Sequence, residues 1–96
     1  GLDLPSRERL IGSLDAMAAA NPALPTVTVT HHLEEIPSSS THALLLADGR
    51  IVAQGPIAEV MSAELVSRCF GIEVEVARHG NRWAARVERL EAEPLG

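Results

Sequence analysis

The sequence predicts an α/β fold built from short helices and β-hairpins, and three stretches carry that prediction. Between Ser6 and Ala20, apolar residues recur at helical spacing; between Thr26 and Thr30, β-branched residues run without a break; and Asp48-Gly49 joins two apolar runs. The first pattern is the signature of a helix with one buried face, the second of a strand, and the third of a two-residue hairpin turn.

In chain order, Asp3 can accept from the free amides of a first helical turn, and Pro5 is tolerated there because its position has no helical partner. Leu10, Ile11, Leu14, Met17 and Ala18 then form one apolar stripe, which Gly12 weakens modestly. Asn21-Pro22 closes the helix, since the residue before proline is pushed out of the α region. Pro25 introduces the strand Thr26–Thr30, which ends at His31. His32–Ile36 forms one or two helical turns stopped by Pro37.

Thr41–Ala47 and Arg50–Gln54 pair around Asp48-Gly49, with Ala47 opposite Arg50, Leu46 opposite Ile51 and Leu45 opposite Val52. Gly55-Pro56 starts a short helix, Ile57 to Met61. A further helix follows Ser62, carries Glu64 favourably in its first turn, presents Leu65, Val66, Cys69 and Phe70, and stops at Gly71. Ile72–Arg78 and Asn81–Glu88 form a second hairpin. Placing its turn at His79-Gly80 sets Val76 against Trp83, Val74 against Ala85, Ile72 against Val87 and Glu73 against Arg86. The tail 89–96 is expected to fray.

The composition narrows the function classes. Of the 96 residues 46% are hydrophobic but only 2% aromatic, so the core must be aliphatic. A net charge of −5, without a single lysine, argues against a nucleic-acid or anionic-membrane partner, because both need a basic field. The lone Cys69 excludes an internal disulfide and fits a reducing compartment. No apolar run approaches the ~20 residues that a membrane-spanning helix needs. Gly1-Leu2-Asp3 has no initiator methionine and reads as the interior of a longer chain.

His31 is the leading candidate for chemistry. A strand that ends in a polar residue just before a helical turn delivers that side chain to the sheet edge where open α/β folds bind ligands. Taken alone, it reads more readily as a residue that merely caps the next turn, and only the flanking pattern reverses that balance. Adjacent His31 and His32 diverge at a helix start, and His42 and His79 stand apart, so no metal-ligand spacing is present. Glu34 and Glu35 read as surface charge, Cys69 as core packing, and Asp48-Gly49 as turn chemistry.

Together, Gly1-Leu2-Asp3 before a helix, TVTVTHHLEEI at 26–36, HALLLADGRIVAQGP at 42–56 and the EVM helix at 59–61 resemble the C-terminal part of an ABC-type ATP-binding cassette, a P-loop NTPase. The likeness is strongest over residues 1–61 and looser to residue 88. It implies that residues 1–88 are a C-terminal portion of the nucleotide-binding domain. It further implies that His31 is the switch histidine, donating to the γ-phosphate of ATP, and that Gly1, Leu2 and Asp3 are a D-loop at the dimer interface. The family's phosphate loop (G-x-x-x-x-G-K-[S/T]), Q-loop, signature motif and Walker B glutamate have no counterpart in this sequence. This stretch alone is therefore not expected to hydrolyse ATP.

For the whole subunit the resemblance implies ATP and Mg2+, a second cassette in a homodimer, and a membrane permease as partner. It also implies a cytoplasmic location, peripheral at the inner face of the plasma membrane through that permease. The alternative reading, from another class, is a small non-catalytic interaction module that binds a protein partner.

Overall fold

The computed structural model describes residues 3–87. The elements run α1 (Leu4–Ala20), a 3₁₀ turn (Leu33–Glu35), β1 (His42–Ala47), β2 (Arg50–Pro56), α2 (Ile57–Val60), α3 (Ala63–Phe70), β3 (Glu75–His79) and β4 (Arg82–Arg86). The strands form two separate two-stranded sheets, β1-β2 and β3-β4. The described residues divide into two units, residues 3–40 with 78–84, and residues 41–77 with 85–87.

In the first unit, the Asp3 carboxylate accepts the Ser6 amide at 2.9 Å and starts α1, with Pro5 in its opening turn. Asn21 ends the helix, its amide donating to the Met17 carbonyl. Ile11 is buried, but Leu10 and Met17 of the expected stripe are exposed. Thr26–Thr30 is the main departure from expectation. It carries no sheet ladder among the described residues, and Val27 and Val29 are 91% and 87% exposed. β-Propensity expresses how side chains fit a pleated, half-buried surface, and here no neighbouring strand supplies one. His32–Ile36 contracts to the single 3₁₀ turn Leu33–Glu35, with Leu33 buried.

In the second unit, α2 and α3 pack on the β1-β2 hairpin, burying Leu45, Val60, Met61 and Val66. Asp48 and Gly49 both take positive φ, 53° and 73°, as the twist-matched hairpin turn requires. Ala47 lies opposite Arg50 and Leu46 opposite Ile51, as the sequence predicts. Leu45, however, lies opposite Ala53 rather than Val52, because a bulge intervenes between Leu45 and Leu46. Leu44-Leu45-Leu46 and Ile51-Val52-Ala53 are apolar at every position. No alternation specifies the register there, and one extra residue is accommodated without placing a charge inside.

The Thr41 carbonyl accepts the Ile57 amide at 2.9 Å where β2 gives way to α2. Ser62 caps α3 by accepting the Leu65 amide at 3.1 Å, and Gly71, at φ 78°, closes it in the left-handed region.

The second hairpin also differs from expectation. β3 ends at His79 and β4 resumes at Arg82, so the turn is Gly80-Asn81, with Gly80 at φ 63°. Arg86 therefore meets Glu75, at 3.2 Å, rather than Glu73, and Arg78 rather than Val76 covers the ring of Trp83, 4.9 Å from its centroid. The pairings of Val76 with Trp83, Val74 with Ala85 and Ile72 with Val87 fall with that turn. The αL position goes to a glycine either way. In the observed turn Arg78 donates to the Gly80 carbonyl at 2.8 Å and to Asn81 at 3.0 Å, ties that the sequence pattern does not display.

Candidate functional site

Of the site residues singled out by the sequence, Asp3 and His31 lie in the first unit. Gly1 and Leu2 lie outside the described residues, as does the tail 89–96. Asp3 is exposed and occupied as a helix cap, and the hydrogen bond from the Ser6 amide holds its carboxyl below the usual carboxylate range. One of its oxygens accepts that amide, so capping leaves acceptor capacity on the carboxylate.

His31 is exposed, between the β-branched run and the 3₁₀ turn. The polar groups on either side of it are organised. The Thr30 hydroxyl oxygen accepts the His32 amide at 3.1 Å and donates to the Glu35 carboxylate. Its single hydrogen goes to the charged acceptor in preference to the His32 carbonyl, which is 3.3 Å away. Within the turn, the Glu35 and Ile36 amides donate to the carbonyls of His32 and Leu33 at 3.0 and 3.1 Å.

Further along, Arg82 donates to the Glu34 carbonyl at 2.7 Å and grips both carboxylate oxygens of Glu8 at 2.7 and 2.9 Å. Its Nε is buried without a partner. The Arg82 and Arg7 hydrogen bonds pull the Glu8 carboxyl down to a pKa of about 2. The Asp15 carboxylate in turn accepts the amide and hydroxyl of Ser39 at 2.9 and 2.7 Å.

Glu34 and Glu35 are therefore not merely surface charge: both are half-buried, and the Glu34 carbonyl accepts from Arg82 while the Glu35 carboxylate accepts from Thr30. A threonine just before the histidine and a glutamate four residues after it were the available sequence signal. The Arg82–Glu8 pair had none, because 74 residues separate the partners.

A cleft of about 110 Å³ lies between α1 and the segment before His31, lined by Arg7, Ile11, Leu14, Thr28, Thr30 and Glu35 among others. It is smaller than the ~300 Å³ at which ligand pockets begin. A larger open groove, about 530 Å³, runs along α3 in the second unit, and none of the expected site residues lines it. His42 Nδ1 lies 3.0 Å from the Thr41 hydroxyl, and His32 and His79 are exposed. Among the described residues no three His, Cys, Asp or Glu side chains gather where an ion could sit. The Cys69 thiol donates to the Leu46 carbonyl at 3.3 Å, and burial pushes its pKa up, away from the reactive thiolate.

No family model matches the chain. Individual relatives do. A putative ABC transporter ATP-binding protein of Streptococcus mutans is 38% identical over 77 residues, covering 79% of this chain and 29% of the relative. The molybdenum import ATP-binding protein ModC of Aromatoleum aromaticum is 46% identical over 94 residues, covering 92% and 22%. The hemin import ATP-binding protein HmuV of Rhodococcus jostii is 35% identical over 78 residues, covering 81% and 26%. The chain thus spans less than a third of the length of these relatives. Matched along most of its own length by proteins of one kind, it belongs to the ATP-binding proteins of ABC transporters.

Proposed function

We propose that, within a full-length ATP-binding subunit, this chain supplies the switch histidine and the D-loop of an ATPase that powers transport. The observation that carries the reading is His31: exposed, at the exit of a β-branched run, in a chain whose relatives are ATP-binding proteins. There its imidazole N–H would donate to the γ-phosphate of ATP in its own subunit. Phosphoryl transfer depends on positioning and charge stabilisation more than on covalent chemistry, so one donor counts. A charge-assisted bond is worth about 1.5–3 kcal/mol, about tenfold to a hundredfold in rate if it forms only in the transition state.

Asp3, with Gly1 and Leu2, would act across the interface of a homodimer, helping to place the phosphate loop of the second copy. Mg2+ would accompany ATP in the full-length subunit, and among the described residues no three His, Cys, Asp or Glu side chains gather to hold it. The principal phosphate and metal contacts belong to motifs this sequence does not contain, so the 96-residue stretch by itself would not turn over ATP.

The subunit would dock on a membrane permease at the cytoplasmic face. No helix among the described residues is long and apolar enough to cross a membrane. Two of the relatives carry import in their names, one for molybdenum and one for hemin, which supports an import direction without selecting a cargo. The deciding experiment is His31→Ala in the full-length subunit. ATP hydrolysis should fall by at least about tenfold while nucleotide binding persists; undiminished hydrolysis refutes the role.

A further inference from the structure

An exposed imidazole can act on a phosphate only if the backbone beneath it is fixed. A three-residue 3₁₀ turn does little of that, since within it only two backbone hydrogen bonds span Glu35 and Ile36. What closes the turn is a side-chain tie. Thr30 immediately precedes His31 and Glu35 follows it by four residues. The Thr30 hydroxyl, held by the His32 amide at 3.1 Å, donates to the Glu35 carboxylate. That bond closes a six-residue ring of chain with His31 as its second member. Thr30 and Glu35 are both half-buried while His31 is exposed, a braced base under an exposed tip. The neighbouring Glu34 carbonyl is pinned separately by Arg82 at 2.7 Å.

We propose that Thr30 and Glu35 are positioning residues for His31, setting the direction in which its ring leaves the turn. The proposal rests on the reading of His31 as the phosphate donor. Neither residue touches nucleotide in this scheme; both act through the backbone of residues 31 and 32. A hydroxyl accepting one amide and donating to one carboxylate uses its only hydrogen and one lone pair, so valine at this position can make neither bond. Displacement of a reacting group by roughly 1 Å can cost up to about a hundredfold in rate, which makes such a tie consequential.

The test is steady-state ATP hydrolysis by the full-length subunit, comparing wild type with His31→Ala, Thr30→Val, Thr30→Ser, Glu35→Ala and Glu35→Gln. Thr30→Val and Glu35→Ala should lower kcat about tenfold or more while KM for ATP stays within about twofold. Thr30→Ser, which keeps the hydroxyl, should restore kcat, and Glu35→Gln, which keeps an acceptor, should lie between. If Thr30→Val does not yield folded protein, the Glu35→Gln and Glu35→Ala pair decides.

Wild-type kcat in Thr30→Val and Glu35→Ala, beside a crippled His31→Ala, overturns the positioning role and leaves His31 intact. A parallel change in kcat and KM, or failure of Thr30→Ser to rescue, overturns it in favour of a merely structural cap. Full activity in His31→Ala instead removes the underlying reading, and the proposal with it.

Discussion

Ser67 sits at the join between α3 and the second hairpin, and its replacement by alanine has a calculable consequence. The Ser67 hydroxyl oxygen accepts the Val74 amide at 2.9 Å, and its hydrogen points to the Val74 carbonyl at 3.3 Å. Val74 is only 5% exposed, and it lies between α3 and β3, outside either backbone ladder. Ser67→Ala takes the acceptor from the Val74 amide, the shorter of the two bonds, and one buried polar group left unsatisfied costs about 1–3 kcal/mol. Alanine is the better helix former by about half a kcal/mol, which offsets part of that. The net loss is then about 0.5–2.5 kcal/mol.

Urea denaturation of the 96-residue chain reads the change as a lower midpoint, and hydrogen exchange reads it locally as faster exchange of the Val74 amide. Ser67→Thr keeps the hydroxyl and should retain most of the stability. A midpoint equal to or above wild type in Ser67→Ala, with unaltered Val74 exchange, would refute the reasoning.

Two further expectations concern the same chain. The pKa of the Glu8 carboxyl is about 2 in the folded state against an ordinary 4.5, first because Arg82 and then because Arg7 donates to it. A depressed folded-state pKa means that the Arg82–Glu8 contribution is present above about pH 4.5 and is lost as the pH falls toward 2. Thermal melts between pH 6 and pH 3 should show a smaller drop in Glu8→Gln than in wild type, the remainder coming from Asp3 and Asp15, whose pKa values are also lowered. Val66 is fully buried, and Val66→Ala removes two methyl groups' worth of packing, about 2 kcal/mol with the cavity included. The urea midpoint should fall accordingly, and an unshifted midpoint would mean that α3 closes over the gap.

The elements legible from the sequence were those governed by local chemistry. Asp3 as a cap, Asn21-Pro22 as a stop, Asp48-Gly49 as a turn at positive φ and Gly71 as a left-handed terminus all stand where the residue types require them. The failures share one cause. Val27 and Val29 have the composition of a strand, but a strand exists only against a neighbour, and none stands beside them among the described residues. Leu45 slipped to Ala53 because uniform apolarity carries no register, and the second hairpin moved its turn by one residue to Gly80-Asn81.

By itself the sequence determined the family, the helix ends and the first hairpin turn, and it put His31 forward as a candidate, because each depends on residue types a few positions apart. Tertiary structure alone decided what supports that histidine. The Thr30 tie to Glu35, the Arg82 contacts with Glu34 and Glu8, and the Ser39 bonds to Asp15 depend on how the backbone turns and which distant segments meet. Hydrogen bonds are short and directional, so a pattern of residue types cannot announce them until folding has brought donor and acceptor within about 3 Å.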